Sequence, residues 1–185
     1  MQSNRINTSR NSVENINEKN VESLGASYTH IKSLKGIIGP NTKKVVMYHA
    51  FLESLEGFED TESVNLAYLG FNRIKKFREI DATIKHIDVL DLVSNPISSL
   101  INCPPCRELI VSSTLISDLT GCPQGVEIIR CGHSIFLTSL RGCPQSVKII
   151  ECSCAPNLII DPDILPRGLQ ELLKENNDSV ITQNK

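Results

Sequence analysis

Residues Ile87–Leu100, IDVLDLVSNPISSL, carry aliphatic side chains at positions 1, 4, 6, 11 and 14 and asparagine at position 9. Side chains alternate along an extended chain, so positions 4 and 6 share one side of a short strand and positions 3, 5 and 7 share the other. The same template fits Val21–Leu34 (VESLGASYTHIKSL), Val64–Phe77 (VNLAYLGFNRIKKF) and Cys106–Leu119 (CRELIVSSTLISDL). Thr42–Leu55 (TKKVVMYHAFLESL) fits more loosely. Two near-duplicate stretches, LTGCPQGVEIIRC at 119–131 and LRGCPQSVKIIEC at 140–152, add units beginning at Val126 and Val147. A partial eighth unit begins at Leu169, and the spacings between units run from 19 to 23 residues.

No such unit can bury its apolar side alone, so neighbours must stack. Position 4 reads Leu24, Val45, Ala67, Leu90, Leu109, Ile129, Ile150, Leu172, and position 6 reads Ala26, Met47, Leu69, Leu92, Val111, Cys131, Cys152, Lys174. Both columns are apolar until the last unit, where charge marks the end of the coil. The expected architecture is an α/β solenoid: an arc with a parallel sheet of about eight short strands inside and irregular or short helical segments outside. We place a polar N-terminal segment at 1–20, the repeat domain at 21–177 and a polar tail at 178–185, with the first dozen residues mobile because they are rich in Asn, Ser and charge.

Over residues 21–177 the pattern resembles the leucine-rich repeat family. The segments CPQGVEIIRC, CPQSVKIIEC and LPRGLQELL further resemble the short, proline-bearing repeats of effectors that pathogenic bacteria inject into host cells, with Cys122 and Cys143 standing where Leu165 keeps the usual leucine. Position 9 departs from the family. Asn72, Asn95 and Asn177 keep the asparagine, whereas Thr29, Ala50, Thr114, Ser134 and Ala155 replace it. Thr and Ser can satisfy neighbouring backbone groups in part and Ala cannot, which predicts a broken asparagine ladder.

The chain has 185 residues, 40% of them apolar and 22% charged, within the range of a single globular domain. A formal charge of −2 offers no basic footprint for nucleic acid or an acidic membrane surface. No apolar run reaches the roughly 18 residues of a membrane span, and the start has no secretory signal pattern. Seven cysteines, an odd number in an ordinary core composition, point to a reducing cytosol. The expected location is cytoplasmic, and the resemblance adds delivery into a host cytosol.

Six of the cysteines fall at or beside apolar places of the repeat, where a free thiol serves as a small hydrophobe. Cys103-Pro-Pro-Cys106 has the spacing of a redox pair but lacks the surrounding βαβ pattern and a neighbouring Lys or His. Cys154 sits at an outward position, one unit beyond His133. A thiol-dependent enzyme using Cys103/Cys106 or Cys154 is therefore the rival reading. Glu59 and Asp60 read as solvated loop residues. No metal site, cofactor or catalytic residue is expected.

Function is expected on the inner face. Although aromatics are scarce, all three tyrosines and Phe71 land there, within the first three units. The candidate partner-binding residues are Tyr28, Tyr48, His49, Tyr68, Phe71, Asp91, Val93, Ile110, Arg130, His133 and Glu151. Eight strands at about 4.8 Å would make a face roughly 38 Å long, approaching the ~800 Å² per side of an ordinary protein interface. The sequence thus points to a non-enzymatic module, monomeric when free, that binds a host protein or a second delivered effector and could inhibit it. A bare scaffold that binds through its outer loops remains the third reading.

Overall fold

In the computed structural model, residues 5–7 and 21–169 are described. The strands are β1 (Arg5–Asn7), β2 (Ser23–Gly25), β3 (Lys44–Val46), β4 (Val64–Tyr68), β5 (Ile87–Asp91), β6 (Cys106–Ile110), β7 (Ile128–Arg130) and β8 (Ile149–Glu151). All pair in parallel and in chain order, so each turn of the coil lays one strand beside the last. Seven of these strands fall in the repeat units beginning at Val21 through Val147. The strand expected near Leu172 lies outside the described residues, as do the 177/178 boundary and the tail.

The register follows the repeat. Leu24 pairs with Val45, Val45 with Ala67, Ala67 with Leu90, Leu90 with Leu109, Leu109 with Ile129 and Ile129 with Ile150. Every residue of this column is fully buried, as is the position-6 column from Ala26 to Cys152. The loosely fitting second unit is therefore in phase, with Val45 and Met47 inside.

Two expectations are corrected. The outer side is not helical: among the described residues the convex segments hold only short 3-10 turns at Phe58–Asp60, Glu79–Thr83 and Pro162–Ile164, with one further turn of helix beginning at Arg167. The fold is thus a parallel β-solenoid with little helix, because units of about 20 residues leave few residues for the return path. Arg5–Asn7 is a strand on the edge of β2, where the composition alone suggested mobility. Composition reports average polarity and misses edge pairing, which satisfies backbone groups whatever the side chains.

The hydrogen-bonded ladder runs past the strands. From Ala26 to Cys131, each position-6 N–H donates to the position-5 carbonyl of the next rung, as from Leu69 to Asp91 (2.8 Å). From Tyr28 to His133, each position-8 N–H donates to the following rung's position-7 carbonyl, as from Phe71 to Val93 (2.8 Å). To make that last bond and then turn outward, position 8 adopts a left-handed backbone in all seven rungs. Tyr28, His49, Phe71, Ser94, Ser113, His133 and Cys154 have φ between 51° and 60°, a region that bulky L-residues rarely enter.

A second left-handed column lies on the convex side at Gly36, Gly57, Asn102, Gly121 and Gly142. At Gly57, Gly121 and Gly142 close approach also requires glycine: a Cβ on Gly121 would stand 2.5 Å from the Ile101 nitrogen, and one on Gly142 would stand 2.6 Å from the Thr120 Cα. The residue after each glycine turns back into the core, donating its N–H to the carbonyl of the residue three positions earlier, as from Cys122 to Leu119 and from Cys143 to Leu140.

The asparagine ladder is short. Asn72 Nδ2 donates to the carbonyls of Met47 (2.6 Å) and Leu69 (2.9 Å), and its Oδ1 accepts from the Leu52 N–H (3.2 Å). Asn95 likewise joins Leu69, Leu92 and Ile74. Thr29 and Thr114 reach only their own turns, at the carbonyls of Ala26 and Val111. The side-chain link between rungs is strongest from the second to the fourth, as the substitutions at position 9 imply.

Candidate functional site

The inner face has a floor and a rim. On the floor, Tyr48 projects from position 7 across Gly70, and its hydroxyl donates to Asp91 Oδ2 at 2.8 Å. Gly70 makes room for the ring: a Cβ there would meet Tyr48 Cε1 at 2.8 Å and Val93 Cγ1 at 2.6 Å. Tyr48 and Tyr68 lie with ring centroids 6.3 Å apart and 18° between their planes. Both are partly buried. Burial, followed by the bond to Asp91, pushes the Tyr48 hydroxyl well above the ordinary phenol range.

Asp91 lies beneath these rings. It is buried, and its carboxylate accepts from Tyr48 and from the Val93 N–H at 2.9 Å. It supports the floor by holding the Tyr48 hydroxyl and the Val93 backbone. Val93 and Ile110 are partly exposed on the same face.

Arg130 and Glu151 pair with each other directly, and Arg130 Nε also donates to Glu108 Oε1 at 2.7 Å. Glu108, at position 3, escaped the sequence reading, although its alternation with position 5 places it on this face. Arg107 pairs with Asp88 at 2.6 Å and Lys148 with Glu127 at 2.7 Å. The charges on the later rungs thus neutralise one another, each such pair contributing about 0–1 kcal/mol.

The rim is formed where the chain leaves the sheet. Tyr28, His49 and Phe71 occupy position 8 of three successive rungs and stack: Tyr28 on His49 at 5.0 Å and 13°, His49 on Phe71 at 4.4 Å and 18°. All three are exposed, Tyr28 by 57% and Phe71 by 46%. Two residues further along the same rungs come His30, Phe51 and Arg73. His30 meets Phe51 edge-on at 4.8 Å, and the Arg73 guanidinium sits 3.9 Å above the Phe51 ring. The sequence reading found Tyr28, His49 and Phe71 but missed Phe51 and Arg73, which the αL turn at position 8 carries to the same edge. His133 is exposed at position 8 in the sixth rung, outside this stack.

Six cysteines, Cys103, Cys106, Cys122, Cys131, Cys143 and Cys152, are buried and unbridged; Cys154 is exposed. Burial raises the thiol pKa of Cys103, Cys122 and Cys131, and takes Cys143 to about 12 and Cys152 to about 11. A protonated thiol is a poor nucleophile. Cys106 borders an open groove of about 530 Å³ that His86 also lines, yet it is only 3% exposed. Among the described residues no three His, Cys, Asp or Glu side chains converge to hold a metal ion, and no helix is long and apolar enough to cross a membrane.

Glu59 corrects another expectation. Its carboxylate accepts from Arg78 at 3.1 Å and from the Gly57 N–H at 2.8 Å, while Arg78 also binds the fully buried Asp81. This network ties the convex turns of the second and third rungs together and is structural.

The chain matches no protein-family model, no curated protein and no solved structure.

Proposed function

We propose that this chain is a non-catalytic protein-binding module that uses the aromatic region of its inner face. The observation that carries the reading is the concentration of aromatic side chains outside the core in the first three rungs, with Phe136 of the sixth rung the one exposed aromatic beyond them among the described residues. Tyr28, Tyr48, Tyr68 and Phe71 all lie there, and rigid aromatics with polar handles suit interface contacts. A sheet that is open on one side, with partly exposed aromatics and no enclosed cavity among them, favours a macromolecular partner over a small molecule.

The finer assignment is to the leucine-rich repeat family, and within it to the short-repeat effectors. It is supported by the turns at Pro123, Pro144 and Pro166, whose carbonyls accept from Val126, Val147 and Leu169 at 3.4, 3.2 and 2.9 Å. The Cys-Pro and Leu-Pro units therefore share a hydrogen bond back to the proline carbonyl from the residue three places on. On this reading the protein works in a host cytosol, monomeric when free, and holds or occludes a host protein or a second delivered enzyme. The thiol-enzyme reading is disfavoured by the burial of every cysteine except Cys154.

The test is affinity capture from host-cell lysate with the intact protein and with a Tyr28→Ala/Tyr68→Ala/Phe71→Ala variant whose melting temperature is checked alongside. Specific partners should be lost by the folded variant. Equal capture by both would refute binding through this face.

A further inference from the structure

Resting on the protein-binding reading, we propose that the rim grid Tyr28, His49, Phe71 / His30, Phe51, Arg73 is the centre of docking, and that its occupant is an acidic, apolar-bearing peptide segment of the partner. The floor and the rim differ in what they leave unsatisfied. On the floor, Glu108 and Glu151 are matched with Arg130 and Asp91 with Tyr48. At the rim, positions 8 and 10 of the first three rungs hold no carboxylate. Arg73 is exposed and rests on a ring instead of an anion. Lys32 and Lys75, two residues beyond the grid on the outer rungs, are exposed and join no ion pair among the described residues; Glu53 between them is the single acid of that row.

The ring geometry points the same way. Stacking covers both faces of His49 and one face each of Tyr28 and Phe71, so what the exposed His49 offers to solvent is its ring edge. The edge is the positive end of an aromatic quadrupole, so carboxylates gain beside it while aliphatic side chains pack across it. Arg73 adds a planar fork suited to a carboxylate. The backbone supplies an independent sign. Ser94 and Ser113 fill the same left-handed position in the fourth and fifth rungs, so the turn does not need a ring. The fold demands the left-handed backbone at this position but not the rings that fill it in the first three rungs.

The experiment uses fluorescence anisotropy of the full-length protein with three labelled dodecapeptides. They share the same Leu and Phe content and differ in carrying four Glu, four Gln or four Lys; an oligothymidine of equal length is the fourth probe. The Glu peptide should bind roughly fivefold or more tighter than the Gln peptide, with the gap closing as salt rises. Arg73→Glu and the pair His49→Ser/Phe71→Ser should each weaken the Glu peptide by about fivefold or more. Arg141→Glu, the same charge change at an exposed residue far along the coil, should not. Equal binding of all peptides, or tighter binding of oligothymidine, would overturn the acidic segment. Weakening by Tyr68→Ala with none by Arg73→Glu would move docking to the floor and leave the protein-binding reading standing. Failure of every peptide while lysate partners are still captured overturns only this inference; failure of both removes the reading beneath it.

Discussion

The Tyr48 hydroxyl and the Asp91 carboxylate, 43 residues apart in the chain, meet at 2.8 Å across the third rung. The bond spans Gly70, whose missing side chain lets the ring pass. It fastens the second rung to the fourth on the solvent side of the sheet, where the core columns cannot act. Tyr48→Phe should therefore cost about 1–2 kcal/mol, since it removes one of the donors to a buried carboxylate. Urea unfolding would measure it, and an unchanged midpoint would mean that Asp91 is solvated.

The two kinds of glycine contact predict a graded series. Gly36 has a left-handed φ of 74° but nothing within 4 Å of a would-be Cβ, so Gly36→Ala should cost about 1–2 kcal/mol, from backbone strain alone. Gly121 has φ 89° and a backbone contact at 2.5 Å, so Gly121→Ala must also push neighbouring rungs apart. A further loss of about 1–3 kcal/mol is expected from overpacking. Equal midpoints for the two variants would contradict the close approach of successive turns.

Position 9 makes a second graded prediction. Asn95→Ala leaves the carbonyls of Leu69 and Leu92 and the N–H of Ile74 without this partner, on two rungs. Thr114→Ala removes a single bond to Val111 within its own turn. At roughly 1 kcal/mol per bond and more for groups left buried and unpaired, the first should exceed the second by about 1–2 kcal/mol. Denaturant midpoints at constant slope would show it.

The buried thiols should make the protein sensitive to alkali. Cys152 is held at about 11 and Cys143 at about 12, above the ordinary thiol value of about 8.5. Below that ordinary value both folded and unfolded chains keep these thiols protonated, and their contribution to stability is constant. Above it the unfolded chain ionises first, so stability falls as pH rises toward the folded-state values, by up to about 1.4 kcal/mol per unit for each thiol. Unfolding midpoints from neutral pH to pH ~10 should decline, and Cys152→Val should flatten the decline. At neutral pH an alkylating reagent should modify Cys154 in the native protein and the other six only through unfolding, as intact mass would report.

Much of this was legible in the residues. The inward columns at positions 4 and 6 follow from alternation, which depends on neighbours in the chain and needs no partner to be known. Unit spacing then sets which rungs lie side by side, and hence the burial of Cys131 and Cys152 beside Ile129 and Ile150. The weakening of the asparagine ladder at Thr29 and Thr114 was readable for the same reason: the number of donors and acceptors belongs to the side chain itself.

Other features belong to the coil as a three-dimensional object. Whether Asp91 faces a partner or Tyr48 depends on a ring reaching across an intervening rung. Whether Arg130 is free depends on Glu108 and Glu151 in the strands on either side. Phe51 and Arg73 reach the rim only because a left-handed residue at position 8 turns each rung outward at the same height. The pairing of Arg5–Asn7 with β2 depends on an open sheet edge that composition cannot show. Local periodicity thus determined the rungs and their interior, because alternation is a property of one chain segment. Tertiary structure alone decided which surface groups remain unsatisfied, because that depends on contacts between rungs some 20 residues apart or more.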